Sequence, residues 1–201
     1  MLKKFMITVM ILSCILIISC GGGDGDSSTD PGINDMSSDD LLSKGWQKFS
    51  GNDYIDAIDY FDKLIERNEY IADAYCGRGW SYMYLDELNL ALSNFNHCLM
   101  NAPGFEVLND CSAGLSFVFD AMDNPEKCIE YSDAVSSEWS FQYKDINYED
   151  ILLLRALNYY AMGDFDESLD ELQKIFPTFT PDVSTVEGRA ALADKLEELL
   201  G

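Results

Sequence analysis

The feature that most constrains this chain is a stretch that repeats itself after 34 residues. Six residues of similar character recur at that interval: Gly45, Asn52, Asp53, Tyr54, Ala57 and Phe61 are followed by Gly79, Asp86, Glu87, Leu88, Ala91 and Phe95. A period of this length is typical of arrays in which each unit is a pair of helices. One such unit cannot bury its apolar face alone, so several units must stack into a solenoid.

The pattern resembles the tetratricopeptide repeat. In that family a small residue in the first helix and an alanine in the second let two antiparallel helices touch, and an aromatic residue one turn later packs into the next pair. These positions are taken by Gly45, Ala57 and Phe61 in the first unit and by Gly79, Ala91 and Phe95 in the second. A weaker third copy has Ser116 and Cys128 at the contact positions, and a fourth has Ala156 and Ser168.

The resemblance implies about four repeats, over residues 38–71, 72–105, 109–142 and 149–182. Apolar residues of segment 54–67 fall at helical spacing, which agrees with this assignment. A capping box at 184–187 predicts a further helix over 184–200, which would cover the apolar end of the array. No stretch shows sustained alternation of apolar and polar residues. We therefore predict an all-α, tetratricopeptide-like solenoid of helical hairpins with a C-terminal capping helix, over residues 41–201.

The first residues have the character of a secretory signal. Lys3 and Lys4 precede an apolar run over residues 5–18, which is shorter than the roughly 20 residues that span a bilayer. Residues 17–20, Ile-Ile-Ser-Cys, resemble the bacterial lipobox, in which the cysteine becomes the lipid-bearing N-terminus after cleavage. The resemblance implies that residues 1–19 are removed and that Cys20 carries lipid. An uncleaved anchor is the alternative.

Residues 20–40 are rich in Gly, Ser and Asp and poor in large apolar side chains. Such a segment buries too little apolar surface to offset its ordering entropy, so we predict a flexible linker. The lipid tether implies a position in the cell envelope. Gly21, rather than an acidic residue, follows Cys20, which favours the outer membrane on its periplasmic side by the rule known from enteric bacteria.

The charge balance restricts the class of partner. The chain has 13 basic and 36 acidic residues, and removal of residues 1–19 leaves a net charge of −25. A field of this sign repels phosphate backbones and anionic membrane surfaces, which excludes nucleic acid. We expect contact with the membrane only through the lipid on Cys20, and partners that are basic or apolar.

The sequence carries no motif of catalysis or of cofactor binding. His97 is the only histidine, so a zinc site of mixed Cys and His ligands has too few donors, and no Gly-rich phosphate loop is present. We predict a protein without metal, cofactor or enzymatic activity. Four cysteines besides Cys20 remain, which could pair in three ways or stay buried as thiols; they are Cys76, Cys98, Cys111 and Cys128.

The remaining candidate site is a surface. In the tetratricopeptide family, certain first-helix positions line a concave groove, and the resemblance places Trp46, Phe49, Trp80, Met83, Tyr84, Leu157 and Tyr160 there. Aromatic anchors in a concave site are a common way of gripping peptide segments. The alternative is that Trp46 and Trp80 pack between repeats or against the linker.

These expectations indicate a non-enzymatic adaptor or scaffold that holds another envelope protein through a peptide segment. Two alternatives are an envelope enzyme of unrecognised type that uses an acidic groove, and a purely structural spacer. The groove residues distinguish these classes, because only the first requires a partner segment on Trp46 and Trp80.

The signal segment yields a direct prediction, which is lipidation of Cys20. Mass spectrometry of the mature protein should find an N-terminal cysteine that carries a diacylglyceryl group. Replacement of the cysteine, Cys20→Ser, should release the protein from membranes, whereas Cys14→Ser should leave it membrane-bound. A mature N-terminus at any other residue would refute the prediction.

Overall fold

The computed structural model describes residues 32–102 and 104–201, so the predicted signal peptide, Cys20 and the first part of the predicted linker lie outside the described residues. Nine helices are found in this part of the chain: α1 (Ser38–Ser50), α2 (Tyr54–Arg67), α3 (Ile71–Tyr84), α4 (Leu88–Asn101), α5 (Phe105–Ala121), α6 (Pro125–Asp133), α7 (Tyr148–Met162), α8 (Phe165–Ile175) and α9 (Val186–Leu200). None of these helices is long and apolar enough to cross a membrane.

The helices pack as four consecutive hairpins, α1 with α2, α3 with α4, α5 with α6 and α7 with α8. Each hairpin turns at a residue with positive φ, and these residues are Asn52, Asp86, Asp123 and Gly163. Glycine, asparagine and aspartate tolerate this left-handed conformation better than other residues do, which explains their recurrence along the chain. The prediction of an all-α solenoid is confirmed.

Two phenylalanine rings set the spacing of the first three hairpins. Phe61 lies between Gly45 of its own hairpin and Gly77 of the next, and a Cβ added at Gly45 would come 2.7 Å from the ring. Phe95 lies in the same way between Gly79 and Gly114. Both rings are fully buried, so the glycines bring helices close enough to enclose an aromatic side chain on both faces.

The junction of the third and fourth hairpins is built differently. Ser132 takes the place of the aromatic ring, and Leu154 stands where Gly77 and Gly114 stand in earlier units. Arg155 of α7 crosses this junction with an ion pair to Asp133 of α6 at 2.9 Å, and it pairs within its own hairpin with Glu171 of α8 at 2.5 Å. At this junction a small residue stands in place of the aromatic ring and a large one in place of the glycine, and a polar network joins the helices.

The terminal helix α9 covers the fourth hairpin. Its Leu192 and Leu196 are buried in a separate apolar cluster with Leu153 and Leu172 of α7 and α8. The N-cap lies one residue later than predicted, because Thr185 rather than Ser184 accepts the hydrogen bond from the amide of Gly188, and the helix begins at Val186 rather than at residue 184. The expected capping helix is therefore present, over Val186–Leu200.

Two other boundaries differ from the sequence prediction. The packed domain begins before residue 41, because Ile33 is buried in the core and Arg67 donates hydrogen bonds to the carbonyl oxygens of Asn34 and Met36. The first helix of the third unit begins at Phe105 rather than at residue 109. A short antiparallel hairpin of β1 (Ser140–Phe141) and β2 (Ile146–Asn147) follows α6, where the sequence predicted no strand.

The wedge of Phe95 yields a prediction for Gly114→Ala. The added methyl group would clash with the ring, which cannot move away because Gly79 closes on its other side. The cost of overpacking should exceed the roughly 1 kcal/mol by which a helix favours alanine over glycine. We therefore expect a net loss of about 1–2 kcal/mol in the free energy of unfolding. The matched control is Gly104→Ala, where an added Cβ meets nothing within 4 Å. Urea denaturation of both variants measures the difference, and equal stability would refute the wedge.

Candidate protein-binding groove

The concave side of the first three hairpins is lined by their first helices, α1, α3 and α5. Trp46 on α1 and Trp80 on α3 occupy the same repeat position, 34 residues apart. The two rings therefore point to the same side of the array. Phe49, Met83 and Tyr84 are on the same two helices, one turn or less from the tryptophans.

This groove is filled by the chain itself. The segment Trp139–Asn147, here called the plug hairpin, comprises β1, β2 and the turn between them. Tyr143 stacks flat on Trp46, with ring centroids 3.9 Å apart and an interplanar angle of 1°. Phe141 stacks on Trp80 at 4.4 Å. Each predicted groove tryptophan thus contacts an aromatic ring of the plug hairpin.

Phe141 is the centre of this contact. Its side chain is 1% exposed, and its ring makes edge contacts with Trp46 at 6.0 Å and with Phe49 at 5.9 Å. Edge and offset-stacked pairs at these distances stabilise beyond the apolar area that they bury. Phe141 is therefore a core residue of the domain as much as an occupant of the groove.

The turn of the plug hairpin places a lysine in an aromatic cage. The Lys144 ammonium lies 4.9 Å from the ring centroid of Phe49, 5.2 Å from that of Tyr54 and 5.3 Å from that of Tyr84. It donates hydrogen bonds to Asn52 Oδ1 at 2.7 Å and to the Ser50 carbonyl oxygen at 3.4 Å. Partial burial lowers the pKa of Lys144, while the ring faces attract its cationic form.

The other end of the plug hairpin is fixed to a half-buried acid. Trp139 Nε1 donates a hydrogen bond to Asp110 Oδ1 of α5 at 2.7 Å. The pKa of Asp110 is raised to about 6, chiefly by burial and further by the nearby carboxylates of Asp73 and Glu106, against the opposing effect of the Trp139 hydrogen bond.

The structure brings five of the seven predicted groove residues together. Trp46, Phe49, Trp80 and Met83 are buried beneath the plug hairpin, and Tyr84 is half-buried as a wall of the lysine cage. The other two do not join them, because Leu157 and Tyr160 pack against the C-terminal apolar cluster. Trp80 is fully buried, so a partner could contact it only after the plug hairpin leaves. Partner binding in the groove stays a prediction.

Part of the groove remains open at its N-terminal end. A cavity of about 480 Å³ lies beside the stacked Trp46 and Tyr143 rings. Its walls come from α1 and from the plug hairpin, and they are formed by Asp39, Leu42, Ser43, Trp46, Gln47, Ser50 and Tyr143. The cavity therefore offers an aromatic wall and an acidic residue at one site.

The sequence analysis missed the plug hairpin as part of the site. Its signals were the short alternation of Trp139, Phe141 and Tyr143, and the spacing of 40 residues between Cys128 and Ser168 in place of 34. The extra length comes from the plug hairpin and the loop before it. Neither signal specifies which surface the inserted residues cover.

The structure pairs two of the four cysteines whose state the sequence left open. Cys98 of α4 and Cys111 of α5 form a disulfide between the second and third hairpins, with their Cα atoms 6.4 Å apart. The Cys76 sulfur lies within 4.8 Å of both, so the three sulfurs are a possible soft-metal donor set only when the disulfide is reduced. Burial raises the pKa of the Cys76 thiol, which opposes both metal binding and thiol exchange.

Comparison with known proteins identifies one unit. Residues 72–105 match the family model of the tetratricopeptide repeat. The match covers α3 and α4 with their connections, which is the unit that carries Trp80 and Phe95. No curated protein matches the chain. Tetratricopeptide repeats are typical of domains that bind other proteins, so the match supports an interaction role.

Two half-buried acids yield a prediction about pH. Asp110 and Asp120 both have a pKa of about 6, chiefly because of burial, and this is above the ordinary value of an aspartate. The folded state therefore favours their protonated forms. This stabilising contribution is present at low pH and is lost as the pH rises through about 6.

Urea denaturation should find the domain more stable at about pH 5 than at about pH 7.5, by about 1–2 kcal/mol for each acid. Asp110→Asn should reduce this dependence on pH, because asparagine does not titrate. Its side-chain oxygen still accepts a hydrogen bond from Trp139. The matched control is Asp145→Asn, which changes an exposed carboxylate in the turn of the plug hairpin. Equal pH dependence in the two variants would contradict the assignment to Asp110.

Proposed function

We propose that this protein is a lipid-tethered adaptor of the bacterial cell envelope, which binds a peptide segment of another envelope protein at the open end of its concave groove. The observation that supports the binding site most directly is the cavity beside Trp46 and Tyr143. It lies on the face that tetratricopeptide domains use for peptides, and the plug hairpin leaves it open.

The chemistry of this cavity favours a partner segment that is basic, apolar or mixed. Leu42 and the ring of Trp46 offer apolar surface, and Asp39 provides a negative charge at the edge. The net charge of the chain without residues 1–19 is −25, which attracts basic segments over a longer range. Aromatic and aliphatic anchors then slow dissociation, whereas the charge mainly raises the rate of association.

The proposed lipid tether is inferred from the first forty residues of the sequence. A cleaved lipobox with lipid on Cys20, followed by a linker rich in Gly, Ser and Asp, would hold the repeat domain close to a membrane surface while leaving its groove accessible. The outer membrane, on its periplasmic side, is the favoured location. In this arrangement the adaptor concentrates its partner at the membrane without chemistry of its own.

Blocking the cavity without disturbing the core tests this proposal. Ser43 is an exposed residue of the cavity wall on α1, so Ser43→Arg should fill the cavity and repel a basic segment. Ser93 is an exposed residue of α4 outside the cavity, and Ser93→Arg is the matched control. Both variants should keep the melting temperature of the wild type.

Partners captured from a detergent extract of envelopes should be identified for the wild type and both variants. We expect Ser43→Arg to reduce capture at least ~tenfold, which is about 1.4 kcal/mol, and Ser93→Arg to retain it. Raising the salt concentration should slow association. A partner that both variants retain equally would place binding elsewhere, and the absence of any partner would refute the adaptor function.

A further inference from the structure

The turn of the plug hairpin occupies two subsites on the first two helical hairpins that differ in chemistry from the rest of the groove. One is the flat face of Trp46, on which Tyr143 lies. The other is the lysine cage of Phe49, Tyr54 and Tyr84, which holds Lys144. A stacking face next to a cation cage can take any chain that presents an aromatic side chain followed by a basic one.

The cage walls are held in place by contacts that do not involve Lys144. Tyr54 and Tyr84 stack on each other at 5.0 Å, and each contacts Phe49 at 5.5 Å. The Tyr54 hydroxyl donates to Asn52 Oδ1, the same oxygen that accepts from Lys144. Three helices thus supply the walls, and the turn between α1 and α2 supplies an acceptor, before any cation arrives, as a binding site requires.

The turn is held less firmly than the rest of the plug hairpin. The ladder consists of two residue pairs, Ser140 with Asn147 and Phe141 with Ile146, and it stops before the turn. Tyr143 and Lys144 are half-buried, whereas Trp139 and Phe141 are buried. A turn outside the ladder with partly exposed side chains opens locally at lower cost than the core does. The open cavity lies directly beside Tyr143.

We propose that Tyr143 and Lys144 are an internal substitute for the partner, and that the partner segment carries an aromatic residue followed directly by Lys or Arg. This inference rests on the proposed function and specifies its ligand. The incoming aromatic ring enters from the cavity, replaces Tyr143 on Trp46 and brings its cation to the lysine cage. Phe141 and Trp139 stay in place, so the core is not opened.

In this arrangement the turn competes with the partner segment for the two subsites, and its covalent attachment to the domain keeps it close to them. A tethered competitor acts at an effective concentration in the millimolar range, so it weakens every external ligand of the same two subsites. The apparent affinity of an external ligand is its intrinsic affinity multiplied by the fraction of molecules in which the turn has left the subsites. Removal of the two competing side chains should therefore strengthen binding rather than weaken it, which is the opposite of what loss of a binding residue does.

The experiment uses the full chain in detergent and the synthetic hexapeptide Gly-Gln-Tyr-Lys-Asp-Gly. NMR titration of the tryptophan indole signals measures its affinity for the wild type and for the double variant Tyr143→Ala/Lys144→Ala. We expect the double variant to bind at least ~tenfold more tightly than the wild type. Peptides in which the tyrosine is replaced by alanine, or the lysine by glutamine, should lose that gain. The matched control protein is Asp145→Ala, which changes an exposed residue of the same turn and should bind like the wild type.

A second protein variant guards against a folding defect. Lys144→Gln alone empties the cage and leaves Tyr143 on Trp46, so it should bind the hexapeptide more tightly than the wild type, but less tightly than the double variant. A double variant that melts like the wild type and binds the hexapeptide no better would overturn the proposal, as would equal binding of the lysine-to-glutamine peptide. If capture of an envelope partner through the Ser43 cavity persists in that case, the adaptor function stands and only the ligand chemistry is wrong.

Discussion

The enclosure of a phenylalanine ring between glycines of two adjacent hairpins determines how the first three units stack. Phe61 and Phe95 can be covered on both faces only because the neighbouring helices carry no side chain at Gly77 and Gly114. A ring held in this way fixes the distance and rotation between units, since close-packed interiors deform little. The positions of Trp46 and Trp80 on the concave side follow from that stacking.

The groove that this stacking produces is too apolar to remain empty. Without the plug hairpin it would expose two tryptophans and neighbouring aromatic residues on a chain of otherwise acidic character, and large exposed apolar patches are rare on soluble domains. The plug hairpin covers most of them with Phe141 and Tyr143, at the point where the repeat spacing lengthens. The insertion is therefore part of the packed core, and only the end of the groove that it leaves open stays accessible.

The sequence was sufficient for the helical pairs and insufficient for the groove. Glycine, alanine and phenylalanine at a fixed period encode contacts between helices that are neighbours in the chain, so the stacking could be predicted from Gly45, Ala57 and Phe61. The contact of Phe141 with Trp80 joins residues about sixty positions apart, and three alternating residues do not specify such a partner. Leu157 was misplaced because the family pattern does not anticipate how α9 closes the array.

The two ends of the plug hairpin differ in a way that separates stability from binding. At Trp139 the hairpin donates a hydrogen bond to the half-buried carboxyl of Asp110, and at Phe141 it is fully enclosed. At Lys144 it makes cation–π contacts, which a cation from another chain can also make, beside an open cavity. Because opening costs least where burial is least, motion of this hairpin should begin at the turn and stop at Phe141. A ligand that uses only the turn subsites can then bind without unfolding the segment that keeps the groove tryptophans covered.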